Sequence, residues 1–97
     1  MLVLRPETGF CIVNDIVLKT IPVTDQYYAF NTLTGDHFIL NHTAWWLLDR
    51  LRQPIIFSEL ESAYIDNFSV RRDVAIKHLK ETMTFFMENE LIKEVLL

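Results

Sequence analysis

The stretch Gln26-Tyr27-Tyr28-Ala29-Phe30-Asn31-Thr32-Leu33-Thr34-Gly35-Asp36-His37-Phe38-Ile39-Leu40-Asn41-His42-Thr43-Ala44-Trp45-Trp46-Leu47-Leu48 changes its period partway along. Gln26–Asn31 and Asp36–Leu40 read as strands, rich in aromatic and branched side chains. The turn between them contains Gly35, which can take the positive φ a loop of this length requires. Within the second of these strands Phe38 and Leu40 share one face, and His37 and Ile39 share the other. After Leu40 the spacing becomes helical. Asn41 is a good N-cap, and Ala44, Leu47, Leu48 and Leu51 fall at i, i+3, i+4 and i+7, with Trp45 and Trp46 flanking the stripe. Pro54 disfavours the helical conformation at Gln53 and so sets the limit of this helix.

Upstream, Ile16–Ile21 is a third β-branched run that stops at Pro22, and Phe10–Val13 offers one further short pairing. Downstream, Ser58-Glu59-Leu60-Glu61 has the spacing of a capping box, followed by an apolar face of Leu60, Ala63, Tyr64 and Phe68. Ser69 is placed to cap a last helix from Val70 to about Asn89. On that helix Ala75, Leu79, Thr82, Met83 and Phe86 form the expected core stripe. Ile76 and Met87 widen it on one side; Val74, His78 and Phe85 widen it on the other. Most of this width suits a helix packed against two helices and a sheet, and one shoulder is left to line a groove. The expected class is therefore α+β: a winged-helix-like domain with a three-stranded antiparallel sheet followed by three helices.

Of the 97 residues, 51% are hydrophobic and 23% charged, the balance of one globular domain spanning residues 1–97. The formal net charge of −4 is the opposite of the basic excess that supplies most nucleic-acid affinity. Arg71, Arg72, Lys77 and Lys80 crowd the start of the last helix but point in different directions, with Asp73 and Glu81 among them. A recognition helix presents a coherent basic stripe instead. No apolar run reaches the ~18–20 residues that span a bilayer, and the exposed faces lack a cationic amphipathic pattern. Leu2-Val3-Leu4 is broken by Arg5, Pro6 and Glu7, so no signal peptide is expected and the cytoplasm is the expected location.

The strongest metal-ligand types, Cys11, His37, His42 and His78, are scattered without ligand spacing. Cys11 reads as a small hydrophobe in a strand, and Asp15, Asp25 and Asp36 as turn and cap residues. Two glycines make no phosphate-cradling loop. The expectation is a protein without catalytic residues, metal or cofactor. What remains is recognition of a protein or peptide, by addition of a strand to a free sheet edge beside an apolar helix shoulder.

The run Tyr28 to Leu48 resembles the PqqD-like family: an apolar strand, Asn31, a turn ending Thr34-Gly35, an aromatic-containing strand, Leu40-Asn41, and a helix opening with Thr43 and Ala44. Phe68-Ser69-Val70 resembles the family's link into its last helix, and Leu79, Met83, Phe86, Leu91 and Ile92 its spaced apolar positions, so that the likeness runs from Asp15 to Ile92. The resemblance implies a non-catalytic recognition element for the leader peptide of a ribosomally synthesised, post-translationally modified precursor. It implies that the leader adds as a strand beside Asp36, His37, Phe38, Ile39 and Leu40 and packs on Arg71, Val74, Ala75, His78 and Thr82. The implied enzyme partners are a leader peptidase and a cyclase, as in lasso-peptide pathways, toward which the turn and the Leu40-Asn41 segment lean, or else a radical enzyme. Three positions depart from the family pattern: His78 replaces a usual Asp, Glu90 a usual Gly, and the segment Arg50 to Gln53 a usual Asp-Gly. Glu90 suggests a different helix end. The competing readings are a winged-helix DNA-binding regulator and a structural adaptor, and the ending Val95-Leu96-Leu97 with a free strand edge leaves a homodimer open.

Overall fold

A computed structural model of the chain describes residues 4–21, 23–24 and 26–97. Leu2, Val3, Pro22 and Asp25, which figured in the sequence expectations, lie outside the described residues. In chain order the elements are β1 (Gly9–Ile12), β2 (Ile16–Ile21), β3 (Gln26–Asn31), β4 (His37–Leu40), α1 (His42–Arg50), β5 (Ile55–Ile56), α2 (Phe57–Phe68), α3 (Arg72–Glu88) and β6 (Ile92–Val95). The expected three-stranded antiparallel sheet is β2-β3-β4, and three helices follow it.

Local chemistry builds the hairpin between β3 and β4. The Asn31 carboxamide accepts from the amides of Leu33 (2.9 Å) and Thr34 (3.2 Å), and Gly35 takes the left-handed conformation at φ 80. Asp36 stays in the turn, where Thr34 Oγ1 donates to its carboxylate, and β4 begins at His37. Asn41 then caps α1 by accepting from the amide of Ala44 at 2.8 Å. Strand and helix therefore meet with one residue between them. Ala44, Leu47, Leu48 and Leu51 are all buried, as the helical spacing predicts.

The structure adds a second sheet of order β5-β1-β6. β1 is its centre: Gly9 opposes Ile56 on one side and Val95 on the other. A side chain at Gly9 would come within 2.8 Å of the Val95 carbonyl, so this approach requires glycine. Val95, of the apolar chain ending, is a strand residue of the chain's own sheet. The pairing corrects one expectation. The start of α2 is not a capping box: the helix begins at Phe57, and the amides of Phe57 and Ser58 donate to the Thr8 and Pro6 carbonyls at 2.8 and 3.0 Å. Main-chain acceptors next to β1 thus take the role expected of the Ser58 side chain.

The junction of α2 and α3 also differs from expectation. Ser69 ends α2 in the left-handed region (φ 52) instead of capping α3, which starts at Arg72 and ends at Glu88. The far end of α3 closes as a Schellman motif: Leu91 N–H donates to the Phe86 carbonyl (2.9 Å) and Glu90 N–H to that of Met87 (3.2 Å). Glu90 itself sits at φ 57, the conformation glycine favours. The left-handed helix end is built here without a glycine, and the different end suggested by Glu90 is not found.

The core sits between the inner face of β2-β3-β4 and the helices. Ile16, Ala29 and Leu40 meet Leu47, Leu48, Leu60 and Tyr64, and from α3 Ala75, Leu79, Met83 and Phe86 are fully buried. Cys11 is a buried free thiol in β1. Among the described residues no helix is long and apolar enough to cross a membrane, and no three His, Cys, Asp or Glu side chains gather as a metal-binding group.

Candidate functional site

Among the described residues β4 is paired on one side only, to β3. Which of its main-chain groups are free follows from the register. Asn31 N–H donates to the Asp36 carbonyl at 2.9 Å, making that couple a bonded pair, and bonded and non-bonded pairs alternate along an antiparallel ladder. Phe38 opposite Ala29 and Leu40 opposite Tyr27 are then bonded. His37 and Ile39 are not, so their amides and carbonyls point away from β3, toward the open edge.

The α3 face beside that edge carries the shoulder expected from helical spacing. Phe85 packs edge-on against Phe38, with ring centroids 6.3 Å apart, and remains 41% exposed. A cleft of about 280 Å³ opens between Ile39, Leu40 and Asn41 on one wall and Glu81, Thr82 and Phe85 on the other, with Ala44 also lining it. A second cavity of about 420 Å³ adjoins it through Asn41, Glu81 and Thr82, and extends over Tyr64, Phe68 and His78. Together they form a groove that runs from the free strand edge across α3 to the end of α2.

The wall formed by α2 is held from several sides. Tyr64 and Phe68 lie 4.8 Å apart, and Trp46 packs edge-on against both at 6.1 and 5.3 Å. The Tyr64 hydroxyl is within 3.1 Å of His78 Nδ1, so a core phenol is anchored to a side chain of the groove. Burial, which disfavours the phenolate, raises the Tyr64 pKa above its ordinary 10.0.

The expected site residues separate into groups. Ile39, Leu40, His78 and Thr82 line the groove, and Phe38 reaches it through its contact with Phe85. The His37 side chain lies on the opposite face of the sheet, 4.6 Å from the Phe30 ring; there it lines a separate cavity of about 460 Å³ with Lys19, Ile21 and Tyr28. Asp36 is in the turn, and Arg71 is an exposed N-cap residue ion-paired with Asp73 at 3.5 Å. Val74 is half-buried, whereas Ala75 has no exposed surface and belongs to the core. Groove-lining residues absent from the expected site are Asn41, Thr43, Ala44, Tyr64, Phe68, Val70, Glu81 and Phe85. The i, i+3 and i+7 series His78, Glu81, Phe85 would have added Glu81 to the shoulder on which spacing already set His78 and Phe85. Nothing local would have brought Tyr64 and Phe68 to it, because their spacing is also that of an ordinary core face.

No family model and no curated protein matches the chain. Among solved structures, TbiB1 in complex with the TbiA(beta) leader peptide is similar, with a TM-score of 0.73 and 20% identity over 86% of this chain and 94% of that one. At this identity the likeness shows that the two chains share a fold.

Proposed function

We propose that this chain recognises the leader peptide of a ribosomally synthesised, post-translationally modified precursor and does no chemistry on it. The leader pairs with β4 as an added strand, bonding to the outward main-chain groups of His37 and Ile39, and its side chains pack on α3 around His78, Thr82 and Phe85. Arg71, Val74 and the backbone of Asp36 flank this path, and Ala75 supports it from within the core. The observation that carries the reading is the half-paired β4 lying against an apolar and polar groove of α3, in a fold whose solved counterpart holds a leader peptide. Delivery to processing enzymes, a leader peptidase and a cyclase if the pathway is of the lasso type, completes the role.

The test is a titration of the whole chain with fluorescently labelled leader segments from candidate precursors, alongside a duplex DNA control. The expected result is saturable binding to one leader that is lost when its apolar residues become alanine. Binding to DNA with a steep salt dependence, and to no leader, would overturn the reading.

A further inference from the structure

We propose that the cavity between the end of α2 and the middle of α3 is a subsite for a basic side chain, lysine or arginine, of the bound peptide, with Glu81 as its counter-charge. This rests on the leader-peptide reading above. Among the described residues Glu81 is the one Asp, Glu, Lys or Arg lining either half of the groove, and it lines both halves. Among the described residues no Lys or Arg forms an ion pair with it. The arginines at the start of α3 are already engaged, Arg71 with Asp73 and Arg72 with Glu61 at 3.1 Å, and Lys77, one turn before Glu81, lines neither cavity.

The surroundings of the carboxylate suit a long cationic side chain better than other types. Phe68, Val70 and Tyr64 line the same cavity, giving apolar wall for the methylenes of Lys or Arg while the charged head meets the carboxylate. An aromatic ring near that head adds cation–π attraction. An acidic side chain would be repelled. A purely apolar one would displace water from Glu81 without offering a partner in exchange. The chain's net charge of −4 favours the same class of ligand at longer range.

The geometry also restricts where the basic residue stands in the peptide. In an added strand, side chains on one face recur every second residue, about 6.8 Å apart. The cleft beside Phe85 and the cavity beside Phe68 share Glu81 and Thr82 as a common wall. The basic residue therefore stands two or four positions from the bulky apolar residue held against Phe85.

The test is a selection of random displayed decapeptides on the whole chain and on its Glu81→Gln and Glu81→Lys variants, each verified as folded by circular dichroism. The wild type is expected to enrich Lys or Arg at an even spacing from a bulky apolar residue. Glu81→Lys is expected to enrich Asp or Glu at that position, and Glu81→Gln neither. In one selected peptide, Lys→norleucine should weaken binding to the wild type roughly tenfold, from an ion pair plus a cation–π contact, and to Glu81→Gln less than twofold. Enriched peptides without a basic position, or the same basic position selected by Glu81→Lys, would overturn the subsite and leave peptide recognition standing. Failure of all three proteins to enrich any peptide would overturn the leader-peptide reading and the subsite with it.

Discussion

Replacing Ile39 by proline tests whether the edge of β4 is the binding edge. The register places the Ile39 amide on the open side, opposite Tyr28 in a non-bonded pair, so proline there removes no ladder hydrogen bond inside the chain. The side chain lost is 75% exposed, so little packing goes with it. The folded state is strained only by proline's fixed φ near −65°, against about −140° in an antiparallel strand. In a complex with an added strand, however, the donor is missing and a peptide carbonyl is left facing a pyrrolidine ring. A hydrogen bond contributes about 0.5–1.5 kcal/mol, and an acceptor left unpaired adds about 1–3 kcal/mol. Affinity should therefore fall between roughly tenfold and roughly two-thousandfold. The assay is a fluorescence-anisotropy titration with a bound leader segment, read beside a thermal melt. Phe38→Pro is the contrasting variant: its amide belongs to a bonded pair with Ala29 and its ring packs on Phe85, so it should damage folding itself. Unchanged affinity of a folded Ile39→Pro protein would refute strand addition at β4.

Three further outcomes follow from the same geometry. Leu79→Ala removes a fully buried side chain of α3 and should destabilise the chain by about 2–5 kcal/mol in urea denaturation. Glu90→Gly should raise stability by about 0.5–1 kcal/mol, because relief of a left-handed side chain (about 1–2 kcal/mol) exceeds the added freedom of the unfolded glycine; a lower melting temperature would count against the strain. Tyr64 has a raised pKa, so the folded state holds its proton more tightly than the unfolded one. Its contribution to stability is complete below pH 10.0 and is lost as pH rises from there through the folded value. Tyr64→Phe should flatten the loss of stability in alkaline melts, at a cost near neutrality of about 0.5–1.5 kcal/mol for the bond to His78.

What the sequence disclosed and what it hid divide by the range of the interactions. The hairpin, the Asn41 cap and the stripes of α1 and α3 are written in neighbouring residues, and they stand where the periodicity places them, save Thr82, expected in the core but half-buried in the groove wall. The second sheet joins Gly9–Ile12 to Ile55–Ile56 and Ile92–Val95, segments too short and too far apart for any one of them to announce the pairing. The same non-local contact explains the missed start of α2: Ser58 has the pattern of a cap, but the carbonyls of Pro6 and Thr8 reach the helix's first amides first. At the junction with α3, Ser69 was legible as a cap residue but not for which helix. Of the residues lining the candidate groove, His78 and the β4 edge were expected from spacing and resemblance and Thr82 from resemblance, whereas Tyr64 and Phe68 enter the groove only through the packing of α2 on α3.

The departure at His78 and the aromatic wall behind it bear on each other. A buried phenol needs a partner for its hydroxyl, and Tyr64, 2% exposed, has His78 Nδ1 in that place. In the tautomer where the phenol donates to Nδ1, His78 keeps its proton on Nε2, and the imidazole offers the groove a donor. A carboxylate at this position would accept from Tyr64 equally well but would place a second negative charge one turn before Glu81. Like charges at that spacing disfavour each other, and an imidazole adds no second negative charge there. His78→Asp therefore keeps the anchor on Tyr64 while doubling the charge of the groove. If Glu81 reads a basic residue, this variant should bind a lysine-bearing leader more tightly than the wild type, with a steeper decline as salt is raised. Weaker binding with an unchanged melting temperature would instead show that the leader uses the Nε2–H donor, and that the imidazole itself takes part in recognition.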